Sequence, residues 1–332
     1  MEHFKKNISI FRCPNCKGAL LIHDNKIKCT KEGLSFNFTN NVPDFFIPND
    51  WNENKEDSTE EIKAFYEKTP FPNYQSIETI YSLIEKARTG GFAKLLDEQV
   101  PFKSRILDIG CGTGQLSNFL SVADRSIFGV DMCRNSLILA ESFRKKNNLD
   151  RVGFYQMNLF QPALKQESFD LVICNGVLHH TADPFKGFQS IAQLVKKDGF
   201  IMLGLYNKYG RITNDLRKLA FSLFNDKPTF LDSRIRKTKM KGKKLNAWIN
   251  DQYHNPHETK HSLSEVLSWF QKSNFEFVNS IPTPGLMTKP INQDLFQSVS
   301  AGNPFTRFFA QAGILFSPDN EGGFFIVIGK RK

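Results

Sequence analysis

The sequence predicts an α/β fold, a mostly parallel sheet with helices on both faces, preceded by a small β module that carries cysteines. Three observations predict it. Ile106-Leu-Asp-Ile109 is a short apolar run ending in Gly110, Gly112 and Gly114, and Gln115 to Leu120 then sets Leu116, Phe119 and Leu120 on one helical face. The chain passes there from strand through tight turn to helix. Ser126-Ile-Phe-Gly-Val-Asp131 and Ser168-Phe-Asp-Leu-Val-Ile-Cys174 are further strand-length runs, the second nearly all apolar at its centre, as a sheet covered on both faces requires. Near the start, Cys13-Pro-Asn-Cys16 followed by Gly18, with Cys29 beyond, marks a knuckle-bearing module.

The glycines carry the first functional signal. Gly110, Gly112 and Gly114 let the backbone take positive φ and lie close against a ligand, because no Cβ stands in the way. A dinucleotide fingerprint has its third glycine where this chain has Gln115, and the Gly-Lys-Ser/Thr ending of a P-loop is absent. Asp108 sets a carboxylate at the strand end, where an open parallel sheet receives ligands, so the expected ligand carries an amine or a cation. Together these residues resemble motif I of the class I methyltransferases that use S-adenosylmethionine (SAM). The resemblance covers about residues 60–332. It implies a Rossmann-like class I methyltransferase sheet whose last strand is antiparallel, SAM as cofactor, and in-line methyl transfer, in which positioning supplies ~7–11 kcal/mol of the barrier.

The composition, 40% hydrophobic and 23% charged over 332 residues, is that of a globular chain with room for one large domain and a small one. Apolar stretches such as Phe200 to Leu205 fall short of the roughly 20 residues of a membrane span, and no charged-then-apolar leader precedes them. A cytoplasmic enzyme is expected. Cys111, Cys133 and Cys174 show no paired spacing, which argues against structural disulfides. A net charge of +10 with pI near 9.2 fits a polyanionic partner, or simply a basic, soluble surface, which is the reading preferred here.

Residues 1–48 form the first unit. Cys13 and Cys16 form a knuckle that aims two thiolates at one metal, with Cys29 the third candidate ligand for Zn2+ in an incomplete second knuckle, and Glu32 stands where a fourth cysteine is expected, so Glu32, His23 or His3 is the candidate fourth ligand. The module resembles the zinc ribbons fused to some methyltransferases; the alternative is a metal-free ribbon held by Leu20, Ile22, Phe36 and Phe38. Residues 49–92 form a linker and a helical strap or lid. Its acidic stretch, 49–61, leads into Ala64 to Tyr74, where Pro70 and Pro72 break any helix and Phe65, Tyr66, Phe71 and Tyr74 crowd together. That segment either closes over the site or fills a groove. Ile77, Ile80, Tyr81 and Ile84 then recur at helical spacing. The methyltransferase domain occupies 93–332, with an insertion at 207–262.

Within it the resemblance assigns a cofactor site to Asp108, Gly110, Cys111, Gly112, Gly114, Asp131, Met132, Asn158, Leu159 and Asn175. Asp131 ends the second strand about 20 residues beyond the first, as adenosine-type sites require. Its carboxylate can accept from both ribose hydroxyls or merely cap the next helix, and its pairing with the glycine turn favours the ribose. Asn158 follows the third strand, Val152 to Met157, where many family members place an aspartate facing the adenine amino group; it keeps an acceptor and adds a donor.

After the fourth strand comes Asn175-Gly-Val-Leu-His179-His180-Thr-Ala-Asp183-Pro184, which resembles the small-molecule branch of the family, including quinone C-methyltransferases. This loop flanks the transferable methyl, so His179, His180, Tyr206 and His254 are the candidate catalytic groups. Paired histidines can equally pack beneath the cofactor. Asn207, Tyr209, Arg211, Tyr253 and His257 are candidate substrate contacts. His257 and His261 have metal-ligand spacing if helical, but no acidic constellation completes a site, and substrate recognition is preferred.

Arg234 to Lys244 holds seven basic residues in eleven, a phosphate grip or a solvated face. Ser262 and Glu265 form a capping box ahead of the stripe Leu263, Val266, Leu267 and Phe270, and Phe275 to Val278 and Gly323 to Ile328 are the closing strands. The expected function is SAM-dependent methylation of a small-molecule acceptor. A tRNA or rRNA methyltransferase that holds RNA with the ribbon and the basic run is the second reading, and a SAM-binding protein without catalysis is the third.

Overall fold

A module of 48 residues buries little surface by itself, and here it solves the problem by packing on a larger sheet. The computed structural model describes residues 2–24, 26–51, 57–68, 70, 74, 79–89, 91–224, 226, 228–284, 294–316 and 323–332. Helix α1 (Glu2–Lys6) precedes β1 (Leu20–His23) and β2 (Lys26–Cys29), an antiparallel pair in register from Leu20↔Cys29 to His23↔Lys26, with β3 (Ser35–Phe36) added beside β2. Strands β4 (Phe38–Thr39) and β5 (Val42–Pro43) make a second small pair. Phe4, Phe11 and Phe45 are buried, and the Phe11 ring lies 4.7 Å from that of Tyr155 in the main sheet. One hydrophobic core therefore spans module and sheet.

The chain continues through α2 (Thr59–Lys68), α3 (Ile80–Thr89), α4 (Gly91–Gln99), β6 (Arg105–Ile109), α5 (Gln115–Leu120), β7 (Ser126–Asp131), α6 (Arg134–Lys146) and β8 (Val152–Gln156). Next come β9 (Phe169–Asn175), α7 (Pro184–Ala192) and β10 (Val195–Tyr206). The insertion supplies α8 (Ile212–Leu223), α9 (Ser233–Thr238) and α10 (Gly242–Tyr253), and α11 (Leu263–Lys272), β11 (Phe275–Ile281), α12 (Pro304–Ala312) and β12 (Phe324–Arg331) close the chain.

The seven-stranded sheet has the order β11-β12-β10-β9-β6-β7-β8. Strands β6 to β10 are parallel, as their continuous apolar runs require, and cores lie against both faces. β12 is antiparallel to both neighbours and lies between β10 and β11, not at the edge, in keeping with the unbroken burial of Phe325 to Ile328, while edge strand β11 has Glu276 exposed. The strand order reverses between β6 and β9, and such a switch point opens a crevice at the strands' carboxyl ends.

The capping box forms: the Ser262 hydroxyl accepts the Glu265 N–H at 3.3 Å. The segment after α10 is extended, not helical, since Pro256 lacks an N–H and pushes Asn255 out of the helical region; His257 and His261 therefore do not share a helix face. Residues 52–56 of the acidic stretch, Phe71, Pro72, Ile77 and Pro290 lie outside the described residues.

Candidate functional site

The glycine turn stands at the crevice. Gly110 and Gly114 take φ of 66° and 71°, and a Cβ on Gly110 would lie 2.2 Å from a Val177 methyl, so the turn requires glycine there on both counts. Asp131 ties the turn to the end of β7: its two oxygens accept N–H groups from Gly112 and Cys133, each at 2.8 Å. Each oxygen keeps a second lone pair for a ligand hydroxyl. Burial raises the Asp131 pKa, against the pull of those two backbone donors. Asp108, 5% exposed, accepts the Ser117 hydroxyl at 2.6 Å; burial drives its pKa up to about 7, partly offset by that hydrogen bond.

A cavity of about 1000 Å³ runs from this turn past Met132, Asn158 and Leu159 to Asn175, His179, His180 and Tyr206. Thr59, Ile62 and Tyr66 of α2 line it, so the strap segment bounds the site while Tyr74, hydrogen-bonded to the Thr113 carbonyl at 2.8 Å, anchors it. Asn158 has given both amide hydrogens to the chain, at the Ile47 carbonyl and Asn49, and its Oδ1 accepts from Phe160. Only the second lone pair of that oxygen remains for an adenine.

The histidines differ. His179 is 1% exposed, with its ring 3.9 Å from Tyr206 and 4.3 Å from His180; burial lowers its pKa far below the ordinary histidine value, so it is neutral. Its Nδ1 is a buried atom without a protein partner. His180 Nδ1 lies 2.9 Å from the His257 carbonyl. A carbonyl only accepts, so Nδ1 carries the hydrogen and the lone pair sits on Nε2. The Tyr206 hydroxyl accepts from Gln252 at 3.1 Å, and the Arg211 guanidinium covers its ring at 3.6 Å.

Other expected residues lie away from the cavity. Asn207, fully buried, closes a turn by accepting from Tyr209 and Gly210 and donating to Gln311. Arg211, also fully buried, is paired with Glu258 at 2.7 Å and Gln252 at 2.9 Å, so it supports Tyr206 from behind. Tyr209 packs on Phe308, and Tyr253 donates to Asp232 while stacking on Phe221. His254 pairs with Asp226 on the outside, and His257 reaches the Thr181 carbonyl. The reason is geometric: β10 ends in a turn held by Phe308 and Gln311 of α12, and α10 faces the cavity with Trp248 and Gln252 while Tyr253 faces α8. Arg234, Trp248 and Phe324, which were not among the expected site residues, also line the cavity, and Tyr66 of the aromatic crowd joins them. The aromatic crowding around Tyr66 and the four-residue spacing of Trp248 and Gln252 were the available signals.

In the module, Cys13, Cys16, Cys29 and Glu32 place their ligand atoms within 4.8 Å of one another. Asn15 donates to both Glu32 oxygens at 3.0 and 3.1 Å and holds the carboxylate in place. Of the alternative fourth ligands, His23 is paired with Asp24, and His3 is buried against the Tyr155 hydroxyl at 2.6 Å, burial driving its pKa down to about 3. Neither joins the cluster.

Residues 103–267 match the model of a methyltransferase domain family. The ubiquinone biosynthesis O-methyltransferase of Glaesserella parasuis is 33% identical over 112 residues, 32% of this chain and 47% of that protein. An uncharacterized methyltransferase of Bacillus subtilis, YcgJ, is 30% identical over 99 residues, 30% of this chain and 39% of that protein. The chain thus spans less than half the length of these curated relatives. Among solved structures, PKMT2 from Rickettsia typhi covers 74% of this chain and 53% of its own at 14% identity with a TM-score of 0.51, a likeness of fold. Sheet order, glycine turn and family match together show that this chain carries a class I, SAM-dependent methyltransferase domain.

Proposed function

We propose that the protein transfers a methyl group from SAM to a small molecule bearing an ionisable hydroxyl or an acidic carbon, with His180 as the general base. The observation that carries this reading is one cavity joining the glycine turn to the His180 ring, at the upper end of the size range of small-ligand sites. The relatives named for ubiquinone O-methylation support an acceptor of this class. The chain then reads as a ribbon-like module, 1–48, a strap that closes the site, 49–92, and the catalytic domain, 93–332. We place it in the cytoplasm, in keeping with cysteines that form no disulfide.

The residues fit the cofactor: a turn that a Cβ would fill, a carboxylate with spare lone pairs, and a buried Asn175 Oδ1 at the cavity without a protein partner. SAM, when bound, supplies a methyl on a sulfonium. In this reading Asp131 holds the ribose hydroxyls and Asp108 faces the ammonium. His180 Nε2 takes the acceptor's proton, and the His257 carbonyl on Nδ1–H steadies the imidazolium that forms. Neutral His179 adds no second positive charge beside it. Incubation with labelled SAM and a panel of small phenols tests the reading; release of S-adenosylhomocysteine with at least one phenol is expected, and release only with RNA contradicts it.

Asp108 gives this site a pH dependence. With a pKa near 7, its carboxyl is largely protonated in the empty site below neutrality and must lose the proton to face a cation. SAM affinity is therefore expected to rise about tenfold from about pH 6 to about pH 8, and to stay flat in Asp108→Asn. The same raised pKa makes the ligand-free fold lose stability as pH climbs from about 4 to about 7, because only the folded state holds that proton there. Calorimetric titration at several pH values checks the first effect and thermal melts the second.

For the module we propose Zn2+ held by Cys13, Cys16, Cys29 and Glu32. Support comes from the donor set, three thiols and a carboxylate converging on one point. Purified protein is expected to contain about one zinc per chain. Cys16→Ser should lose it and lower Tm by about 5 °C, a bounded loss because Phe4, Phe11 and Phe45 still anchor the module. Elemental analysis alongside melting decides; a metal-free protein with normal Tm speaks for a ribbon held by packing alone.

A further inference from the structure

Helix α8 turns an apolar stripe outward. Ile212, Leu216, Leu219 and Leu223 recur at spacings of three and four, so they share one face, and they are 47%, 65%, 59% and 67% exposed. The face that packs is another one: Asn214 and Phe221 are buried, and Phe221 stacks on Tyr253 at 4.2 Å. Phe305 and Phe309 of α12 are exposed as well, and Phe308 of that helix meets Tyr209 at 5.0 Å just ahead of α8. Apolar surface gathered in this way marks an interaction site, not scattered surface residues.

Charge narrows the partner. Residues 212–244 hold ten lysines and arginines against three aspartates, a net of +7 out of the chain's +10. All three aspartates are engaged: Asp215 with Lys260, Asp226 with His254, and Asp232 with Trp248 and Tyr253. Arg236, Lys239 and Lys241 are exposed. A second copy of the chain would set like charge against like. Nucleic acid offers phosphates but nothing that buries aliphatic side chains at helical spacing. An anionic lipid surface offers both, an apolar phase for the leucines and headgroups for the cations.

We propose that the α8 face docks this protein on the surface of anionic lipid bilayers. The attachment is interfacial, as no helix among the described residues is long and apolar enough to cross a membrane. The insertion also reaches the cavity, through Arg234, Trp248 and Gln252, so docking sets the site beside the lipid phase. The inference stands apart from the identity of the methyl acceptor.

Flotation of the full chain with vesicles tests it, using phosphatidylcholine alone and phosphatidylcholine mixed with phosphatidylglycerol. Binding to the mixed vesicles is expected, weaker to phosphatidylcholine alone and falling as salt is raised. The double substitution Leu216→Ser and Leu219→Ser should weaken it about tenfold or more, with melting temperature unchanged because neither side chain is packed. Absence of wild-type binding to the mixed vesicles overturns the proposal, as does a double variant that binds equally well. Binding to polyuridylate in place of vesicles, or self-association that the double substitution abolishes without vesicle binding, assigns the face to nucleic acid or to a second copy and overturns it likewise.

Discussion

Replacing His180 with alanine lowers kcat by about 10²–10⁴, the range for loss of a positioned general base, while SAM binding is retained. The tautomer sets the role of this histidine. His180 is the histidine at the cavity whose hydrogen is fixed, by the His257 carbonyl at 2.9 Å, on the nitrogen away from the lone pair. His180→Gln is the sharper variant, since an amide can donate to that carbonyl but cannot take the acceptor's proton. Single-turnover kinetics with SAM affinity measured alongside decide between roles. Turnover that survives in both variants with SAM still bound makes the histidine a packing residue.

Replacing Asp131 with alanine lowers SAM affinity by about 100-fold or more. Two hydrogen bonds from ribose hydroxyls to a charged group, at about 1.5–3 kcal/mol each, account for that loss before any change in the turn. The same carboxylate holds Gly112 and Cys133, so alanine also frees the glycine turn that forms the cofactor's floor. Asp131→Asn keeps an acceptor and is expected to fall between the two. Calorimetric titration with SAM reads the effect, and unchanged affinity in Asp131→Ala removes the ribose from this residue.

The sheet was legible because its signals are local. Apolar runs such as Ile106 to Ile109, followed by glycines, and Ile127 to Val130, ended by Asp131, report strand and turn without knowledge of distant contacts. The place of β12 between β10 and β11 was not legible, since strand neighbours depend on pairing across long separations. Asp108, Gly110, Gly112, Asp131, His179 and His180 line the cavity because they stand at or just beyond the strand ends. Arg211 and Asn207 were misplaced for a shared reason: polar residues after a strand look like crevice residues, yet these two meet Glu258 and Gln311, partners far along the chain that bury them. His254 was drawn in by histidine clustering, which composition shows and an exterior pairing with Asp226 dissolves. Trp248 and Tyr66 reach the cavity on tertiary packing that spacing alone does not encode.

Methyl transfer to a small acceptor at this cavity leaves a direct chemical trace. The most direct measurement incubates the purified protein with methyl-labelled SAM and a cell extract, then divides the products into nuclease-treated, protease-treated and low-mass fractions. Label in the low-mass fraction, absent with the His180→Ala protein, is the predicted result. Label that disappears on nuclease treatment, or no label anywhere while SAM binds, contradicts the account and points to an RNA methyltransferase or to a SAM-binding protein without catalysis.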